Sequence, residues 1–149
     1  ENFLSQESYK DALNACWTRA DSIDGYSGSG YVTTPDQGTS EWIAERAGNP
    51  RSAQLDYALE LPTGFYTLWA RVFAPSEESD VASLSLSTSS IVDVRPDINQ
   101  AWLIQPDTTG EWIWVKSDNP VSVNGGLFRL ALRRGEDGFA VDAFRIVKE

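Results

Sequence analysis

Apolar and polar positions alternate strictly in "SAQLDYALEL", placing Ala53, Leu55, Tyr57, Leu59 and Leu61 on one side and Gln54, Asp56 and Glu60 on the other. A period of two is that of a strand with one face buried. Pro62 and Gly64 in "LPTG" mark a turn, and "FYTLWARVFA" follows, rich in aromatic and β-branched residues, so the two stretches read as an antiparallel hairpin. "DVASLSLST", "EWIWVKS", "GLFRLALRR" and "FAVDAFRIVK" supply further strands, each bounded by Gly, Pro, Asn or Asp. Short strands at regular spacing predict an all-β chain folded as a β-sandwich. One stretch departs from this: in "SYKDALNACWTRA", Tyr9, Leu13 and Trp17 lie four apart behind Ser8 and Asp11, the pattern of a short capped helix.

Between these elements, "APSEESD" reads as a solvated turn. "RPDINQAWLIQPDTTGEW" reads as a loop that sets Trp102 among polar residues and prolines, where an exposed ring calls for a purpose. Trp112 and Trp114 fall in phase within a strand and read as packing residues. There is no internal repeat and no linker-like tract, and 149 residues suit one domain spanning 1–149.

Charge narrows the partners. Asp and Glu number 22 against 12 Lys and Arg, a net charge of -10, so the overall field opposes nucleic acid and anionic membranes. No run of 18 apolar residues occurs to span a bilayer. The chain has no methionine and opens at Glu1, which fits a processed or excised chain. Cys16 is the lone cysteine, so no internal disulfide forms, and it reads as a small buried hydrophobe.

The chain contains no histidine, which removes imidazole-based triads, metal cages and proton shuttles. The glycine-rich stretch "DGYSGSGYVTT" fails the nucleophile-elbow pattern, because Ser29 stands where the last glycine belongs. It fails as a phosphate loop for want of a Lys-Ser/Thr pair, and as a dinucleotide loop because Thr33 replaces the third glycine. What remains is an irregular backbone that lifts Tyr26 and Tyr31 toward a surface.

Carboxylate pairs such as Glu41 with Glu45, Glu77 with Glu78, or Glu136 with Asp137 are candidates for glycosidase chemistry, and no catalytic motif accompanies them. Asp142 stands out. In "FAVDAFRIVK" it is in phase with Phe144 and Ile146, so the strand period points its carboxylate inward, where it needs a cation, an arginine or several backbone donors. Calcium would suit such a site.

"GYSGSGYV", "LPTGFYTLWARV", "GEWIWV" and "LRRGEDGFAVDAFRI" occur in an order that resembles carbohydrate-binding modules of families 6 and 35, over nearly the whole chain. The resemblance implies a galactose-binding-like jelly roll that is not itself an enzyme. It implies a secreted or cell-surface location, and a monomeric module attached to other domains that brings a parent protein to a polysaccharide. It further implies a structural calcium held by an N-terminal acidic segment and a late aspartate. Here Glu7 and Asp142 match, Ser5 replaces the first acid, and backbone carbonyls at Asp24 and Gly25 would complete the shell. Finally, it implies sugar stacking on Tyr31 and Trp102. The family's usual polar asparagine is replaced by Ala140, which leaves Arg134, Glu136 and Asp137, next to Phe139, to read the hydroxyls. The competing expectation is a structural or adhesive sandwich that contacts proteins and holds no sugar.

Overall fold

The computed structural model describes residues 17–36, 54–88 and 101–149. Glu7, Cys16, Glu41 and Glu45 lie outside the described residues, as does the first part of the expected helix. Its last part is corrected: Thr18–Ala20 is a strand, β1, which pairs with β2 (Tyr31–Thr33), and Trp17 is buried in the core. Trp17 is anchored by packing, and the local period of four gives way to that burial.

The remaining strands are β3 (Gln54–Leu61), β4 (Gly64–Phe73), β5 (Ala82–Thr88), β6 (Ala101–Ile104), β7 (Trp112–Lys116), β8 (Val121–Val123), β9 (Gly126–Arg134) and β10 (Ala140–Lys148). They form two antiparallel sheets. One has the order β1-β2-β10-β4-β7 with β8 also on β4, and the other has β3-β9-β5-β6. The described residues thus form the all-β sandwich that the alternation predicts.

β3 and β4 do not pair with each other. β3 runs along β9 from Gln54↔Arg133 to Leu61↔Gly126, whereas β4 lies between β10 and β7, so "LPTG" carries the chain from one sheet to the other. Both strands have one apolar face. Folding over lets Leu55 of one sheet and Leu68, Ala70 and Val72 of the other join one core, which side-by-side pairing would not do. The Tyr66 hydroxyl donates to the Pro62 carbonyl at 2.7 Å and fixes the crossing.

The loop reading of Trp102 is corrected too. Ala101–Ile104 pairs with β5, with Trp102 opposite Leu84, and the half-buried indole packs against the core cluster between the sheets. At that end of the sandwich several connections are tied by backbone bonds: Gly110 N–H to the Ala74 carbonyl, Glu136 N–H to Val81, and Gly138 N–H to Thr34.

Candidate functional site

β10 carries an irregularity that decides where Asp142 goes. Val141 is opposite Val72 and Phe144 opposite Ala70, both pairs belonging to the core, and the register shifts between Val141 and Ala143. Asp142 is the extra residue of this bulge. It therefore joins Arg71 on the outer face of the six-stranded sheet instead of following Phe144 inward. The inward orientation expected from a period of two is overturned by one inserted residue.

The carboxylate is nevertheless buried, its side chain 0% exposed, because the β1–β2 connection lies over it. The Ser27 N–H donates to both carboxylate oxygens at 3.0 Å, the Ser27 hydroxyl donates to Oδ2 at 2.9 Å, and Arg71 Nη1 donates to Oδ2 at 2.6 Å. Arg71 Nη2 also donates to the Gly25 carbonyl at 2.8 Å, and Trp112 Nε1 to the Asp24 carbonyl at 3.0 Å. Gly25 has φ of +93°, and a β-carbon there would meet the Trp112 ring at 3.3 Å, so glycine permits both the turn and the close approach.

Aromatic rings fill the space under the same loop. Tyr31 meets Trp112 edge-on at 5.2 Å and Tyr26 at 5.8 Å, Phe73 lies 5.5 Å from Trp112, and the Arg71 guanidinium is 5.7 Å from the Trp112 ring. Tyr31 is only 2% exposed, with its hydroxyl 3.1 Å from Ser22 Oγ. The expectation of a ring held out from the glycine-rich loop is thus corrected: the loop folds down, and burying the ring against Trp112 is the more favourable use of its area. Tyr31 packs on the outer face of one sheet and Trp102 on the inner face of the other, so the structure does not bring them together as a platform.

The "RRGEDG" segment is not a solvated hairpin. It joins β9 of one sheet to β10 of the other, and its acids turn inward. Glu136 is 7% exposed, and its Oε2 accepts the N–H groups of Asp80 at 2.8 Å and Val81 at 3.1 Å. Burial pushes its carboxyl above the usual glutamate range. The Asp80 backbone bond opposes this, the Asp80 charge adds to it, and the Val81 bond opposes it again. Asp137 and Phe139 are each 0% exposed. Glu136, Asp137 and Phe139 are therefore corrected from sugar-facing groups to buried ones, Glu136 being bonded to the backbone of Asp80 and Val81, and Arg134 alone of the four stays partly accessible.

Of the expected calcium ligands, Asp24, Gly25 and Asp142 are described. They do not make a calcium set by themselves: the two backbone carbonyls already accept from Trp112 and Arg71, and Asp142 Oδ2 is taken by a guanidinium and by Ser27. Among the described residues no cluster of three or more Asp, Glu, Cys or His could hold a metal.

Sequence reading also passed over a second aromatic group. Trp69, Arg71 and Phe73 alternate with core residues of β4, as Trp112, Trp114 and Lys116 do along β7, so all six project from the outer face. Arg145 places its guanidinium 4.5 Å from the Trp114 ring, and the Lys116 ammonium lies 5.8 Å from the Trp69 ring. The signal was present in "TLWARVF" and "EWIWVKS" as a second set of residues at period two. It reads as packing until the pairing of β4, β7 and β10 sets the two sets side by side.

No protein-family model matches the sequence, and no curated protein matches it. Solved structures do share its fold. A family 35 module from Cellvibrio japonicus is 18% identical, with a TM-score of 0.57 over 91% of this chain and 90% of that one. The C-terminal family 6 module of a marine laminarinase from Zobellia galactanivorans is 18% identical, with a TM-score of 0.55 over 96% and 95%. A Podospora anserina β-(1,4)-mannanase that carries a family 35 module is 17% identical, with a TM-score of 0.61 over 93% of this chain, which spans 26% of that enzyme. The chain has the fold of carbohydrate-binding modules of families 6 and 35.

Proposed function

We propose that this chain is a noncatalytic carbohydrate-binding module that keeps a linked domain or a cell surface close to a polysaccharide outside the cell. One observation carries the reading: the chain matches entire binding modules end to end, and only a quarter of a mannanase that contains one. A noncatalytic module raises the local concentration of whatever is linked to it without changing chemistry, and its single-site affinity is modest. The absence of histidine and of any recognised catalytic motif agrees with this role.

Affinity electrophoresis through gels containing neutral and acidic polysaccharides tests it directly. Retardation in at least one gel, with no reducing sugar released, is the expected result. A folded protein that migrates freely through every gel overturns the proposal. One observation favours a protein-contacting sandwich instead: Tyr31 is packed away and Trp102 faces the core, so the rings expected to stack on sugar are engaged elsewhere. That reading gains if glycans fail to bind while a protein partner is retained.

A further inference from the structure

The described oxygens that the family resemblance would give to calcium are the two of the Asp142 carboxylate and the carbonyls of Asp24 and Gly25. Each already accepts a donor from this chain. The Ser27 N–H donates to both carboxylate oxygens, Ser27 Oγ and Arg71 Nη1 donate to Oδ2, Arg71 Nη2 donates to Gly25, and Trp112 Nε1 donates to Asp24. The two side chains that hold the loop carbonyls also lie against each other, the guanidinium 5.7 Å from the centre of the Trp112 ring.

Local structure puts a cation among these oxygens. Arg71 alternates with the core residues Ala70 and Val72, so it points outward from β4, and it stands opposite Ala143 of β10. The bulge turns Asp142, one residue earlier, to the same face. The Asp142 side chain has no exposed surface, and a single opposite charge 2.6 Å away balances it. Calcium takes about six to eight oxygen ligands at about 2.3–2.6 Å. To reach Oδ2 it would have to share that oxygen with the guanidinium, cation beside cation. Among the expected ligands, Asp142 and Glu7 supply two negative charges, against the three positive charges of calcium together with Arg71.

We infer that Arg71 is the resident cation of this chain: its guanidinium takes the part that the resemblance assigns to calcium, tying the β1–β2 loop to β10, and the fold holds without a divalent metal. The inference does not depend on whether the chain binds sugar. A guanidinium presents its donors in a fixed plane, so one nitrogen serves the carboxylate while the other serves the carbonyl, and it keeps its charge throughout the physiological pH range. A metal-tied loop loosens as free metal falls, because its stability depends on metal concentration. The loop over Tyr31 and Trp112 is instead tied by a covalent part of the chain, and it keeps its shape in calcium-poor or chelating surroundings.

Thermal melts of the intact protein in EGTA and in millimolar calcium, with metal analysis of the purified chain, test this. The two melting temperatures should agree within about 1 °C, and the chain should carry no stoichiometric calcium. A melt lowered by several degrees in EGTA and restored by calcium, or stoichiometric bound calcium, overturns the inference. R71M keeps much of the stem and removes the charge; it should melt roughly 6–12 °C lower and speed hydrogen exchange at the Ser27 amide. R71M melting like the wild type also overturns the inference. The double variant R71M/D142N should lose less than the two single variants together, because neither charge is left without its partner. Losses that simply add overturn the charge pairing on which the inference stands. If R71M fails to fold, the wild-type melts and the metal analysis still decide the question.

Discussion

Arg71 bonds Asp142 at 2.6 Å beneath the β1–β2 loop and, with its other terminal nitrogen, holds the Gly25 carbonyl of that loop. One guanidinium thus joins a strand, a bulge and a connection more than 40 residues away in the chain. It neutralises a carboxylate whose side chain has no solvent contact.

Removing that cation leaves the buried carboxylate with Ser27 alone. Arg71→Ala should destabilise the fold by about 3 kcal/mol, the scale for breaking one side of a buried pair. Arg71→Lys should recover only part of the loss, because an ammonium lacks the fork that reaches Asp142 and Gly25 together. Urea unfolding followed by tryptophan fluorescence measures both; an alanine variant as stable as the wild type would contradict the role assigned to Arg71.

Glu136 links stability to pH. Its folded-state carboxyl titrates above the ordinary value of 4.5, so the folded state holds the proton more tightly than the unfolded state does. The stabilisation from this group is complete below the ordinary value and is lost as pH rises through the raised one. Glu136→Gln removes the titration while keeping an oxygen to accept from Asp80 and Val81. Its melting temperature should therefore rise relative to wild type on going from pH 4 toward neutrality. A difference that shrinks over that range would refute the assignment.

Phe139 is enclosed at the crossing between β9 and β10. Phe139→Ala should cost about 3–5 kcal/mol, as expected for a large aromatic lost from a core. Chemical denaturation at fixed pH checks this. A loss under about 1 kcal/mol would restore Phe139 to the accessible ring that the sequence suggested.

Trp102→Ala separates the two descriptions of that residue. Facing the core opposite Leu84, the half-buried indole should cost about 2 kcal/mol or more when truncated. A ring on an open loop would cost almost nothing. Thermal melting distinguishes them, and an unchanged melt would show that the ring makes no packing contribution.

Strand positions were legible because the signal is local. "SAQLDYALEL", "FYTLWARVFA" and "GLFRLALRR" each alternate over enough residues to declare a half-buried strand, and the strands Gln54–Leu61, Gly64–Phe73 and Gly126–Arg134 lie there. The resemblance to families 6 and 35 could be read from motif order, and the fold agrees with it. The short β6 escaped notice, since four residues between prolines and polar groups offer too little alternation to distinguish strand from loop.

The sequence by itself determined that this protein is an all-β sandwich, that it is acidic, and that histidine-dependent catalysis is closed to it. These follow from composition and from side-chain period, which act residue by residue. Tertiary structure alone decided where the candidate groups point. The single extra residue at Asp142 moved its carboxylate to the outer face, the "LPTG" turn crossed between sheets, and the glycine-rich loop folded down over Tyr31. It also drew Trp69, Trp114, Lys116 and Arg145 from three strands onto one surface. The physical reason is that pairing register and sheet assignment minimise exposed apolar area over the whole molecule, a quantity that no short stretch of sequence contains.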